Sequence, residues 1–192
     1  MAELPELYFK TDIDWRIWLS KNHDSIKGVY LIFYKVNSEK PSMRWEEAVK
    51  VALCYGWIDS TVKKLDEERR RQYFCLRNVK SVWSKLNKRY IEELSKDNLM
   101  HKSGLDKIKI GKQNGSWTAL DDVENLIIPK DLQIAFNNNK VAFENYKKFA
   151  PSYRKSYLYY LNQAKRPQTK EKRIEQIIQF CEKNIKSRDT WS

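Results

Sequence analysis

The chain has 192 residues, of which 41% are hydrophobic, and it carries a formal net charge of +12. This length suits one domain of ordinary size or two small ones, and a content of five Gly and five Pro excludes collagenous, elastic and long-linker proteins. The positive charge permits binding to polyanions such as nucleic acid, phosphorylated metabolites or anionic lipid, although many basic proteins of this size bind none of them.

Cysteine and histidine are scarce and scattered. Three Cys without a CxxC motif are typical of a protein from a reducing compartment, and they argue against a disulfide framework and a zinc site. His23 and His101 lie far apart in the sequence, so we expect no histidine-rich metal site, and we expect no cofactor. The N-terminus carries acidic residues and no apolar leader, and no apolar run reaches membrane-spanning length. We therefore expect a cytoplasmic protein without a transmembrane segment.

In the first third of the chain, the sequence pattern predicts two helices and a central strand. Residues 7–9 form a short strand or an extended lead-in, and Thr11 or Asp12 caps the helix that follows. An almost continuous apolar run then predicts a central strand near residues 29–36. After a polar loop, an apolar stripe predicts a second helix at about 44–55, with a glycine as its C-terminal stop.

Two alternating runs around a short polar loop predict an antiparallel hairpin, with strands near residues 57–65 and 71–77. Alternation places five side chains toward a core, namely Ile58, Ser60, Val62, Phe74 and Leu76. The opposite, polar side receives Trp57, Asp59, Thr61, Lys63, Arg71, Tyr73, Cys75 and Arg77. A loop symmetric about Glu68 would place Asp59 opposite Arg77 and Lys63 opposite Tyr73, close enough to interact across the strands.

The segment after the hairpin leads into a helix with Ser84 as its N-cap. A helix N-terminus beside cations is a potential anion site, because its free N–H groups point outward. The candidate ligand-binding residues are therefore Trp57, Asp59, Lys63, Tyr73, Arg77, Trp83, Ser84, Lys85 and Asn87. Asp59 is the best candidate for an acid or base, and Lys63 or Arg77 would hold an anionic substrate. The alternative is structural: an Asp59–Arg77 ion pair, with the tryptophans packed in or around the core.

Helical periodicity dominates the rest of the chain. We predict helices from Ser84 to near Asn98, at 105–113, at 130–137 and at 140–149, and two more that begin at Pro151 and Pro167. The fold class is therefore α+β: a small antiparallel or mixed sheet packed with helices, followed by an all-helical C-terminal part. The expected organisation is an α+β domain at 1–115, a connector at 116–128 and a helical region at 129–192.

The C-terminal helices are basic. We expect them to cover the polar side of the hairpin and to place Lys165, Arg166 or Arg173 near Asp59 and Arg77.

Familiar catalytic motifs are absent. The sequence has no GxxxxGK[ST], GxGxxG, HExxH or GxSxG, and its adjacent Glu pairs diverge by about 100° on their helices. No recognised constellation therefore supports catalysis.

Several short stretches resemble the YdeI/OmpD-associated family, also labelled bacteriocin-protection proteins. In the N-terminal part they are Glu47-Ala48-Val49, Ala52-Leu53-Cys54-Tyr55-Gly56-Trp57-Ile58-Asp59, Leu65-Asp66-Glu67, Arg77, Ser81-Val82-Trp83-Ser84-Lys85-Leu86-Asn87, Leu99-Met100 and Gly104-Leu105. In the C-terminal part they are Ser152-Tyr153-Arg154-Lys155, Ala164-Lys165-Arg166-Pro167, Thr169 and Arg173-Ile174.

The resemblance implies resistance to bacteriocins or antimicrobial peptides and, for some members, an association with an outer-membrane porin. It brings no catalytic residues. This sequence departs from the family pattern at Ser60, where a glycine is usual, and at Gly111-Lys112. It also shows no export signal, which argues against a periplasmic role.

Three hypotheses follow from the sequence. The first is a cytoplasmic binding module for a small anionic ligand, built on the hairpin and the helix after it. The second is an enzyme in the same cleft with Asp59 as acid or base. The third is nucleic-acid binding, which ranks last because the charge is spread over distant segments and no nucleic-acid motif is present. A direct protein partner would follow from the family label alone.

Overall fold

A computed structural model describes residues 4–187 of the chain. Its internal contacts group the chain into two compact units, the first ending at Thr118 and the second beginning at Ala119. Each unit has its own hydrophobic core. No helix of the described residues is both long enough and apolar enough to cross a membrane.

The N-terminal unit contains a four-stranded mixed sheet and four helices within the described residues. In chain order they are β1 (Glu6–Tyr8), α1 (Asp12–Asn22), β2 (Gly28–Tyr34), α2 (Trp45–Cys54), β3 (Trp57–Lys64), β4 (Arg69–Leu76), α3 (Lys85–Lys96) and α4 (Lys102–Gln113). The strand order is β1-β2-β4-β3, with β1 parallel to β2 and the other pairs antiparallel. The α+β class predicted from the sequence is confirmed.

The predicted caps start the helices where the sequence places them. The Thr11 side chain accepts a hydrogen bond from the Asp14 N–H at the start of α1, and the Ser84 hydroxyl accepts one from Asn87 at the start of α3. Gly56 follows α2 with a φ of 74°, a left-handed conformation that glycine adopts without strain. These signals fix both ends of the hairpin against the helices.

One face of the sheet forms the core of the unit. Trp15 of α1 is fully buried, stacks on Trp18 at 5.3 Å and meets the edges of Trp57 and Phe74 at 6.2 and 6.0 Å. The apolar side chains of β2 that point to this face are Val29, Leu31 and Phe33. Trp57 therefore packs in the core and not on the polar side of the hairpin, where its alternation had placed it.

The predicted pairing of the hairpin is wrong in two places. Asp59 lies opposite Phe74 and not opposite Arg77, and Lys63 lies opposite Arg71 and not opposite Tyr73. The physical cause is the position of the turn. Lys64 pairs with Arg70, so the turn is centred on Glu67, one residue before the predicted centre at Glu68. An irregularity in β3 between Asp59 and Val62 shifts the pairing register by a further residue. The residues of β3 before the irregularity therefore lie on the opposite face of the sheet from the one predicted.

The described part of the C-terminal unit is helical, as predicted from residue 129 onward, and a short helix also lies within the segment 116–128 that was predicted to be a connector. It consists of α5 (Asp121–Glu124), α6 (Lys130–Asn138), α7 (Lys140–Lys148), α8 (Pro151–Asn162) and α9 (Pro167–Glu182). Its core contains Leu132, Phe136, Tyr146, Tyr157 and Ile177, all fully buried. The tyrosines at helical spacing thus serve packing, and the Tyr157 hydroxyl donates to the Ile185 carbonyl at 2.6 Å.

Candidate functional site

Arg77 is the most unusual side chain of the N-terminal unit. It follows the end of β4, and its backbone N–H donates to the Gly56 carbonyl at 2.9 Å. Only 2% of the residue is exposed. Its Nη2 donates to the Val82 carbonyl at 2.5 Å, whereas the buried Nε and Nη1 have no hydrogen-bond partner. A charged group is thus held away from water with part of its donor capacity unused.

Burial lowers the pKa of Arg77 to about 10, while the negative charge of Asp59 acts in the opposite direction. The guanidinium therefore stays protonated at neutral pH. A buried charge without an ion-pair partner carries a large desolvation cost. The thiol of Cys75 does not offset that cost, because burial raises its pKa even though the charge of Arg77 lowers it.

An aromatic ring supplies part of the compensation. The guanidinium carbon of Arg77 lies 3.5 Å from the centroid of the Trp83 ring, which is itself 3% exposed. A desolvated cation–π contact of this kind contributes about 2 kcal/mol. The ring gives the cation no lone pair to bind, so the two free nitrogen donors of Arg77 still lack an acceptor.

Trp83 connects Arg77 to residues that the sequence did not single out. Its ring lies 5.1 Å from that of Trp117. A side chain at Gly111 would begin 2.6 Å from Trp83 Nε1, so only glycine leaves the indole in place. Ser116 is 8% exposed and its hydroxyl has no partner. We call Arg77, Trp83, Gly111, Ser116 and Trp117 the Arg77–Trp83 cluster.

The surroundings of Trp117 are cationic, since the ammonium groups of Lys88 and Lys112 each lie 5.3 Å from its ring centroid. The turn at Asn114-Gly115 brings Ser116 and Trp117 back toward Trp83, and the Asn114 amide donates to the Val79 carbonyl at 2.7 Å. Asn-Gly is a typical turn dipeptide, so the sequence itself favours a turn at this place.

The helix that follows Trp83 begins where the sequence predicts, but its first residues have different surroundings. The Ser84 hydroxyl is used as the cap, accepting the Asn87 N–H at 3.2 Å. Lys85 is exposed, and Asn87 is half-buried. Of the predicted ligand-binding residues, Arg77, Trp83 and Ser84 thus lie together at the start of α3.

Asp59 is engaged with core side chains. Its Oδ2 accepts a hydrogen bond from Trp45 Nε1 at 2.9 Å and a second from the amide of Gln72. Gln72 is 3% exposed, and its Oε1 has no partner. The predicted Asp59–Arg77 ion pair does not form.

The other predicted binding residues are dispersed. The Trp57 indole N–H donates to the His23 carbonyl at 3.0 Å within the core, and Lys63 is exposed near the hairpin turn. Tyr73 covers Gly28, where an added Cβ would lie 2.2 Å from the tyrosine oxygen. Burial raises the pKa of Tyr73.

The separation of the two histidines in the sequence was a wrong guide to their separation in space. The rings of His23 and His101 lie 4.9 Å apart, and each contacts Tyr55, at 5.2 and 5.0 Å. His23 Nδ1 contacts the Leu19 carbonyl, and His101 Nδ1 accepts the Ser103 N–H. Across residues 4–187, no group of three or more His, Cys, Asp or Glu side chains is arranged to hold a metal ion.

Two family models match separate parts of the chain. One, described as Domain of unknown function (DUF8412), matches residues 7–107, and the other, described as Bacteriocin-protection, YdeI or OmpD-Associated, matches residues 125–184. The second match confirms the family resemblance over the C-terminal motifs, whereas the N-terminal motifs fall within the first match. No curated protein and no solved structure matches the chain.

Proposed function

This chain belongs to the family described as Domain of unknown function (DUF8412), and we propose that its N-terminal unit binds a small anionic ligand through Arg77. The observation that carries the proposal is the pair of buried nitrogens, Nε and Nη1, that lack an acceptor on a cation that is 2% exposed. Carboxylate and phosphate oxygens are the natural partners of a guanidinium, because they match both its charge and its N–H directions.

The energetics favour a ligand over an unused arginine. The removal of Arg77 from water on folding costs free energy, and the contacts with Val82 and Trp83 offset only part of that cost. An incoming oxyanion meets donors that are already stripped of water and held in place, so it gains more from each hydrogen bond than at an exposed arginine.

The family description adds a biological setting to the proposal. Residues 125–184 match a family named for bacteriocin protection. We propose that this anion binding contributes to protection against bacteriocins, a setting that rests on the family description alone.

No observation supports the enzyme hypothesis as the unpartnered nitrogens of Arg77 support anion binding. A general acid or base must be directed at a substrate. Asp59 instead directs one carboxylate oxygen at both Trp45 and Gln72. Nucleic-acid binding gains no support either, since the cluster is built on buried groups and not on a continuous basic surface.

Arg77→Met tests the proposal, because methionine keeps much of the side-chain volume and removes the charge. We expect the variant to be as stable as the native protein or more stable by up to about 3 kcal/mol, since a buried unpaired charge is replaced by an apolar group. We also expect the saturable effect of anions on the unfolding temperature to disappear, whereas the general stabilisation that sulfate and phosphate give to folded proteins remains. The measurement is thermal unfolding in acetate, phosphate, sulfate and citrate at constant ionic strength.

The matched control is Lys80→Met, which removes one exposed cation from the loop between β4 and α3. It should keep the native response to the same anions. A saturable anion response that survives Arg77→Met would contradict the proposal. So would a native protein that responds to none of the anions while Arg77→Met lowers its stability by several kcal/mol.

The pH dependence of folding stability and of anion binding follows from the lowered pKa of Arg77. A base whose pKa is lower in the folded state destabilises folding at every pH below its folded pKa, and this penalty is relieved as the pH rises above about 10. The stability advantage of Arg77→Met should therefore be full at neutral pH and shrink above about pH 10. Anion binding should weaken over the same interval, because the neutral guanidine loses its attraction for the ligand. Calorimetry of the native protein and of Arg77→Met across this pH range checks that the stability difference between them shrinks as the pH rises.

A further inference from the structure

A cavity of about 360 Å³ lies at the turn end of the β3–β4 hairpin. The residues that define its chemistry are Phe33, Lys35, Val62, Lys64, Asp66, Arg69 and Arg70. We call it the tip cavity. Its volume falls at the lower end of the range of small-molecule pockets.

The floor of the tip cavity is apolar. Phe33, Arg70 and Lys64 are direct neighbours across β2, β4 and β3, so their side chains share the face of the sheet that carries the core. The Phe33 ring is 3% exposed, whereas Val62 on the same face is 49% exposed. Most of the lining is apolar, so the cavity offers a place for a hydrocarbon group.

The rim is cationic, and its charges are not equivalent. Arg69 is paired with Asp66 at 2.6 Å, and Lys64 is paired with Glu67. Among residues 4–187, neither Lys35 nor Arg70 has a carboxylate partner. The guanidinium of Arg70 lies 5.3 Å from the centroid of the Phe33 ring. Two uncompensated cations therefore border one apolar floor.

The turn that forms this cavity is held by its own hydrogen bonds. The Lys35 N–H donates to the Glu68 carbonyl at 2.9 Å and ties the end of β2 to the turn. Asp66 Oδ1 accepts the N–H groups of Glu68 and Arg69 at 2.9 and 2.7 Å. A ligand entering the cavity thus meets a backbone that is already ordered, which lowers the entropy cost of binding.

From this combination we infer that the tip cavity binds a small amphipathic anion, with its apolar body on Phe33 and Val62 and its anionic head at Lys35 and Arg70. An apolar floor favours hydrocarbon over a fully polar anion such as phosphate, and a rim with four cations against the one carboxylate of Asp66 favours an anionic over a cationic head group. The tip cavity is a separate site from the one proposed at Arg77. Arg77 follows the opposite end of β4, about 20 Å along the strand.

Octanoate is a suitable probe, and isothermal titration calorimetry is the measurement. We expect saturable binding of octanoate to the native protein, binding at least about tenfold weaker for butyrate, and no detectable binding for octylamine. The double variant Lys35→Gln/Arg70→Gln should weaken octanoate binding by at least about tenfold. Its control is Lys63→Gln/Lys80→Gln, which removes the same charge from exposed positions outside the cavity and should bind as the native protein does.

Val62→Trp supplies a second, independent test. Because the Val62 side chain is half exposed, a larger residue there should fill the cavity without disturbing the core. We expect an unchanged unfolding temperature and loss of octanoate binding. Val62→Trp should keep the anion response that depends on Arg77, and this result separates the tip cavity from the Arg77–Trp83 cluster.

Three results would overturn the inference. The first is absence of octanoate binding to the native protein. The second is binding that persists in both the double variant and Val62→Trp. The third is competition with octanoate by a single-stranded oligonucleotide that binds more tightly and with a steep salt dependence, which would make this end of the hairpin part of a nucleic-acid surface.

Discussion

Replacing Trp57 with Ala is expected to lower the free energy of unfolding by about 3–5 kcal/mol. The indole is fully buried, meets Trp15 and Trp18 edge-on at 6.2 Å, and donates its N–H to the His23 carbonyl at 3.0 Å. Removing it leaves a large cavity beside two other tryptophans and an acceptor without its donor. A role in ligand binding alone, which the sequence pattern suggested, would make the substitution far less costly.

Urea denaturation followed by circular dichroism measures this loss. Thr61→Ala is the matched control, because Thr61 lies on the same strand and is exposed. It should change the free energy of unfolding by no more than about 0.5 kcal/mol. If the two substitutions prove equally mild, Trp57 is not a core residue and the description of the hairpin faces is wrong.

Gly104→Ala should destabilise the protein by about 3 kcal/mol, which reverses the usual effect of this substitution inside a helix. Gly104 lies in α4, where an added Cβ would lie 2.3 Å from the Cys54 carbonyl oxygen and 2.7 Å from that of Leu53. Both atoms belong to the last turn of α2, whose backbone cannot shift without moving the start of β3. The clash therefore separates two helices that the fold requires to touch.

The comparison for this prediction is Gly115→Ala. Gly115 has a φ of 78° and nothing within 4 Å of its added Cβ, so its substitution costs backbone strain of about 1–2 kcal/mol and no steric clash. Thermal unfolding of both variants should show the larger loss at Gly104. A larger loss at Gly115 would mean that α2 and α4 do not approach each other as described.

Much of the fold could be predicted because it depends on local signals. Caps at Thr11 and Ser84, the stop at Gly56 and the apolar run of β2 are short-range features, and each determines one element on its own. The helical character of the C-terminal unit follows from periodicity in the same way.

The candidate site was harder to predict because it depends on register and on distant contacts. A turn centred one residue earlier, together with one irregularity in β3, moved Asp59 away from Arg77 and onto the core face. No single-sequence signal reports such a shift. The contact of Trp83 with Gly111 and Trp117 joins residues about thirty positions apart, beyond the reach of any local pattern.

The most direct test of the account is nuclear magnetic resonance of the arginine Nε–H groups during titration with the anions above, with Arg77 assigned by the signal missing from Arg77→Met. We expect the Nε–H of Arg77 to exchange slowly with water, because it is buried, and its resonance to move saturably when the right anion is added. A resonance that stays unmoved at high concentrations of every anion would contradict the central claim and leave Arg77 with a purely structural role.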